Sequence, residues 1–226
     1  MPIPDKKEDK LRASAKEVVY ETIKKWIIEG TLRPGEKLMD GEMADYFSVS
    51  RTPVREAFQL LEEQKLIKSF PGKATIVTEI ETENIDQWYK PLIALQRLAV
   101  NMATEKGTQS NFAELKAINY KFQQEAERKD ITGITNLDKE FHDYIIRIAG
   151  NSYIMSFCDT LMSHVLRLEF MFFKRNIDIS ESVAEHEKLI SAMERKDEFS
   201  ADLIIQQHWN RTVIQIRNII QDSTGI

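Results

Sequence analysis

The chain is poor in the residues that staple, break or anchor a polypeptide. Cys158 is the single cysteine in 226 residues, so no intramolecular disulfide can form and nothing points to an oxidising compartment. Its apolar neighbours mark it as core packing rather than a reactive thiol. No run approaches the ~18 consecutive apolar residues of a membrane span. The opening MPIPDKKEDKLR carries no apolar leader segment. A cytoplasmic protein with no membrane partner is the expectation. A net positive charge is missing as well, with 31 Lys+Arg against 36 Asp+Glu and a sum of −5. That excludes a general basic coat for nucleic acid but not a local basic patch.

The charge is unevenly placed. Up to Glu79 there are 14 basic and 14 acidic residues, and the remainder holds 17 against 22. The first third is neutral, and the rest carries the whole acidic excess. Apolar residues at 42% and charged residues at 30% place the chain among ordinary globular proteins. With 8 Gly and 6 Pro, breakers are sparse along stretches of 3.6-residue periodicity, so the expected fold is mainly α. Pro34-Gly35, Pro53, Pro71-Gly72 and Pro91 supply most of the early punctuation.

A first helix is expected from about Leu11 to Glu29, with Val18, Val19, Ile23, Trp26 and Ile27 on one stripe and a stop at Gly30. A short helix near Gly41 to Phe47 and a second from Arg51 to Gln64 are separated by Ser48-Val49-Ser50, the outline of a helix-turn-helix. Ser50 or Thr52 can cap the second helix, and Pro53 is tolerated in its first turn. Leu66 to Phe70, Pro71-Gly72 and Ala74 to Thr78 read as a β-hairpin, the wing of a winged helix. The linker Glu81-Thr82-Glu83-Asn84 separates an N-terminal unit, 8–80, from an all-α bundle, 84–222. Helices there are expected near Asn84 to Lys106, Phe112 to Lys129, Ile134 to Ala149, Tyr153 to Lys174, Ser180 to Lys196 and Glu198 to Gln221. Gly107, Gly133 and Gly150 serve as stops.

The second helix of a helix-turn-helix presents its first turns to base edges in the major groove. Arg51 and Arg55 share one face there, opposite Val54, Phe58 and Leu61, and paired arginines suit guanine or phosphate. Thr52 can add a hydroxyl contact, and Lys73 at the wing tip can reach the DNA backbone. The plain alternative is a solvated helix face. The stretches IIEGTLRPGEKL, MADYFSVSRTPVREAFQLLEEQKLI and FPGKATIV resemble the winged-helix domain of GntR-family bacterial transcription regulators. The resemblance implies DNA contacts from Ser50, Arg51, Thr52, Arg55 and Gly72. Family members often carry an arginine where this chain has Asp40-Gly41-Glu42.

Asp138 and His142 lie four residues apart and project from one face of a helix, while His186 and His208 sit on later helices among apolar residues. A carboxylate and imidazoles can hold a divalent ion if the helices converge, and inward histidines bonded within a core are the alternative. The stretches LDKEFHDYIIRIAGN and AEHEKLISAMERKDEFSADLIIQQHW resemble the FCD effector domain of the FadR-like branch. By that resemblance Asp138, His142, His186 and His208 coordinate zinc, nickel or a related divalent ion, and a small carboxylate effector binds nearby. Arg97 and His164 are candidates for the effector pocket. Metal-assisted hydrolysis is disfavoured, because no carboxylate nearby stands out as a general base and Glu140 points roughly 160° to 200° away from Asp138 and His142 on the helix wheel. The expectation is a homodimeric regulator, not an enzyme, that binds palindromic double-stranded operator DNA under effector control.

Overall fold

The computed structural model describes residues 14–70, 74–128, 130–172 and 179–224. The chain divides into two compact units after Glu79. In the first, α1 (Ala15–Ile28) starts from Ser14, whose hydroxyl accepts from the Glu17 N–H while the Glu17 carboxylate accepts from the Ser14 N–H. Such reciprocal capping satisfies two donors that no helix turn can reach. The helix buries Val19, Ile23 and Ile27. Val18, expected on the same stripe, is 49% exposed instead, since it stands one step of about 100° away from Val19. The expected start at Leu11 lies outside the described residues.

Helices α2 (Asp40–Phe47) and α3 (Arg51–Glu63) follow the helix-turn-helix outline. Ser48 ends α2 in the left-handed region, and α3 packs Val54, Ala57, Phe58 and Leu61 inward. Ser50 occupies the N-cap position, yet its side chain makes no capping bond. Strands β2 (Ile67–Phe70) and β3 (Ala74–Val77) form the hairpin, pairing Ile67 with Val77 and Phe70 with Ala74. A two-residue strand not anticipated, β1 (Lys37–Leu38), pairs with the far edge of β3, so the described order is β1-β3-β2. Gly35, at φ +77°, turns the chain so that its N–H reaches the Val77 carbonyl. Gly72 and Lys73, the expected wing contacts, lie outside the described residues.

The second unit is helical throughout its described residues: α4 (Asp86–Lys106), α5 (Gln109–Arg128), α6 (Ile131–Ala149), α7 (Ser152–Phe172), α8 (Ser180–Glu194) and α9 (Glu198–Thr224), after a 3-10 turn at Thr82–Asn84. Helix α4 packs against α6, α7, α8 and α9, and α5 against α6 and α8. Tyr89, Phe112, Phe122, Phe141 and Trp209 fill the core. Lys196 donates to the carbonyls of Thr104, Glu105 and Gly107 and so caps α4, a favourable place for a cation. Two breakers act differently from expectation. Pro91 lies inside α4 as its sixth residue, past the first turn, so the helix continues without the bond that an N–H there would make to the Gln87 carbonyl. Gly133 is not a stop, because Asp130 caps α6 by accepting from the Thr132 N–H. A Cβ at position 133 would come within 3.0 Å of Asp130 and Glu125 side-chain atoms.

Candidate nucleic-acid interface and metal centre

At the start of α3, Ser50, Arg51, Thr52 and Arg55 are all exposed, while Val54, Ala57, Phe58 and Leu61 of the same helix are buried. Arg55 is not a free cation. Its Nε donates to Asp40 Oδ2 at 2.6 Å, with the Arg55 side chain 66% exposed. That bond holds the Asp40 carboxyl below the ordinary carboxylate value, against a smaller cost of burial. Arg51 lies over Gly41, where a Cβ would stand 3.1 Å from an Arg51 terminal nitrogen.

In the second unit, α6 supplies Asp138 and His142, α8 supplies His186 and α9 supplies His208. One ligating atom from each lies within 4.8 Å of the other three. Asp138 is 3.6 Å from His186 Nε2 and 3.8 Å from His142 Nε2. The imidazoles are held on several sides. His186 stacks on Phe141 with ring centres 3.8 Å apart, and Trp209 lies 4.7 Å from His142.

Two of these rings are oriented from behind by residues that the sequence did not single out. Asn119 donates from Nδ2 to the Val183 carbonyl, which turns Oδ1 toward His186 Nδ1 at 3.0 Å. An amide oxygen can only accept, so His186 carries its proton on Nδ1 and presents the Nε2 lone pair to the cluster. Glu185 accepts from His208 Nδ1 at 2.7 Å and from Arg211, whose terminal nitrogen also reaches Ser182. This leaves His208 Nε2 for the cluster in the same way. Partners of this kind set the tautomer and direction of a metal-binding histidine.

Burial dominates the electrostatics. It pushes the pKa of His142 and His186 well below 6.5, with the charge of His208 adding to the effect, so both rings are neutral and able to ligate. It raises the Asp138 carboxyl above its ordinary value, partly offset by His208 and Arg211. Burial also works to raise Glu185, but hydrogen bonds from His208 and Arg211 overcome it and bring the carboxyl down to about 2. Among the described residues, neither nitrogen of His142 nor Nε2 of His186 has a hydrogen-bond partner. Buried polar atoms left without partners are costly, and a divalent cation among neutral imidazoles and one carboxylate would engage Nε2 of His186 and one nitrogen of His142, since the two nitrogens of a ring point apart and only one can face the ion.

A cavity of about 50 Å³ adjoins the cluster, with Thr135, Asp138, Glu169, His208, Trp209 and Thr212 in its wall. Glu169 is a carboxylate near the cluster that the sequence did not single out. Its burial, with the charge of Asp138, raises its pKa well above 4.5 and favours the protonated carboxyl. Its charge, with that of Arg167, in the otherwise apolar run Leu166-Arg167-Leu168-Glu169-Phe170 was the signal available. Arg97 and His164 are not among the described residues lining this cavity. Arg97 forms a two-pronged pair with Asp202 at 2.9 and 2.6 Å, and His164 stacks on Trp88 with ring centres 5.2 Å apart. Cys158 is buried, and its thiol is pushed up to about 12.

Comparison with known proteins places these two units. Residues 15–77 match the bacterial regulatory proteins of the gntR family, and residues 88–211 match the FCD domain. The chain belongs to the GntR family of transcriptional regulators, with an FCD domain following its DNA-binding helix-turn-helix domain. It is 25% identical over 206 residues to the HTH-type transcriptional repressor RspR of Escherichia coli, covering 91% of this chain and 90% of that protein. It is 23% identical over 208 residues to the HTH-type transcriptional regulator YdhC of Bacillus subtilis, covering 90% and 91%. The solved structure of E. coli McbR/YncC shares the fold, with TM-score 0.82, 22% identity and coverage of 92% of this chain and 99% of that one. The family and these relatives are transcriptional regulators rather than enzymes. No helix among the described residues is long and apolar enough to cross a membrane.

Proposed function

We propose that this regulator acts in the cytoplasm as a homodimer on palindromic operator DNA. A small organic acid, bound beside a divalent ion in the FCD domain, sets its affinity for that DNA. The carrying observation is the convergence of Asp138, His142, His186 and His208 within 4.8 Å, with three of their ring nitrogens buried and without a partner among the described residues. One carboxylate and three imidazoles suit zinc, nickel or another transition metal. Such an ion, when bound, offers a positive anchor for a carboxylate. The adjacent cavity, with hydroxyls from Thr135 and Thr212 in its wall, supports a ligand position next to the ion.

On the DNA side the reading assigns base and phosphate contacts to Ser50, Arg51, Thr52 and Arg55, with Gly72 and Lys73 at the wing. The exposure of the first four at the N-terminal end of α3 supports major-groove docking. The assignment of Arg97 and His164 to the effector is set aside, because each is engaged outside the described cavity wall.

Fluorescence anisotropy of the full chain on the duplex it selects from a random library tests the reading. Zinc-loaded protein should change its affinity for that duplex when a panel of small mono-, di- and tricarboxylates is added, and His142→Ala should abolish the response. Affinity unmoved by every acid while zinc remains bound would leave the ion a purely structural role.

A further inference from the structure

The N-terminal end of α2 lies against the two arginines at the start of α3. Asp40 is the first residue of α2, and its Oδ2 takes the Nε hydrogen of Arg55 at 2.6 Å. Gly41 comes next, and the Arg51 guanidinium occupies the space above it. A Cβ there would meet Arg51 atoms at 3.1, 3.5 and 3.6 Å. An exposed ion pair of this kind adds little to stability, and Arg55 is 66% exposed. Its consequence is geometric and electrostatic. Engaging Nε leaves the two terminal nitrogens of Arg55 as the outward edge, the pair of donors that matches N7 and O6 of guanine. The Asp40 charge also offsets one of two neighbouring positive charges on a surface whose non-specific attraction to phosphates is electrostatic.

We infer that Asp40 and Gly41 are positioning residues that set operator specificity: Asp40 aims the terminal nitrogens of Arg55 at a guanine edge and repels non-specific phosphates, and Gly41 gives the Arg51 guanidinium its seat. This rests on the reading that Arg51 and Arg55 face DNA.

The test uses the full chain and two duplexes of equal length, one selected by the wild type from a random library and one unrelated. Asp40→Asn keeps the shape and removes the charge. It should bind the selected duplex more weakly and the unrelated one at least as tightly, so that their affinity ratio falls about tenfold, in line with the loss of one bidentate base contact. The thermal midpoint should stay unchanged, and a fresh selection with this variant should lose its preference at the guanine read by Arg55. Asp40→Glu, which keeps the carboxylate, should recover part of the ratio, and Gly41→Ala should lower it by displacing Arg51. An unchanged ratio and selected sequence in Asp40→Asn, with binding lost in Arg55→Ala, overturns the inference and leaves the DNA reading standing. Full binding by Arg55→Ala overturns that reading and the inference with it.

Discussion

The amide oxygen of Asn119 lies 3.0 Å from His186 Nδ1, and the amide nitrogen of the same residue is tied to the Val183 carbonyl. A residue on α5 thus decides which nitrogen of a histidine on α8 faces the cluster. Asn119→Leu keeps the bulk and removes the acceptor. Metal affinity should fall 10–100-fold, the usual cost of losing a partner behind a ligating histidine. Competition against a chromophoric chelator measures it, and an unchanged affinity would show that His186 needs no such guide.

Glu185 does the same for His208 while binding Arg211. Its pKa near 2, against an ordinary 4.5, is depressed in the folded state. Its contribution is therefore present above pH 4.5 and lost as the pH falls through the folded value. Glu185→Gln should cost about 2 kcal/mol at pH 7, less than the full shift implies because solvent screens a partly exposed carboxylate, and progressively less toward pH 3. Urea denaturation at the two pH values checks this.

The cluster itself titrates in opposing directions when stripped of metal. His142 and His186 have folded pKa values below 6.5, so the unfolded chain binds protons more readily and stability falls as the pH drops below 6.5. The slope is at most about 1.4 kcal/mol per pH unit for each ring. Glu169 is raised, so its contribution is present below pH 4.5 and is lost as the pH rises through the folded value. Glu169→Gln should accordingly be more stable than the wild type at pH 8, with an advantage that shrinks toward pH 5. An advantage equal at both pH values would contradict the assignment.

On the DNA side, Arg51→Ala should weaken binding to the selected operator by about 1–3 kcal/mol if it reads a base, and the effect on an unrelated duplex should be smaller. A loss equal on both duplexes, with a shallower salt dependence, would make Arg51 a phosphate contact.

Periodicity and breakers made the helices and the hairpin legible, because α3 buries a clean stripe from Val54 to Leu61 and the acidic remainder shows no alternating strand pattern. Strand β1 was illegible because Lys37–Leu38 becomes a strand only by pairing with β3. Gly133 misled because the capping power of Asp130 outweighs the weakness of one glycine. At the site, spacing paired Asp138 with His142, and histidines amid apolar residues flagged His186 and His208. The residues behind them, Asn119, Glu185 and Arg211, look like ordinary surface residues of amphipathic helices. Three-dimensional proximity alone gives them their partners.

Equilibrium titration of chelator-stripped full chain with zinc is the most direct measurement of the central claim, a metal-centred sensing site. It should show one ion per chain, and at a hundredfold excess over the dissociation constant the ion should add about 2.7 kcal/mol of stability. Both effects should disappear in the double variant His142→Ala, His186→Ala. Zinc that fails to bind, or that binds equally to the double variant, would contradict it.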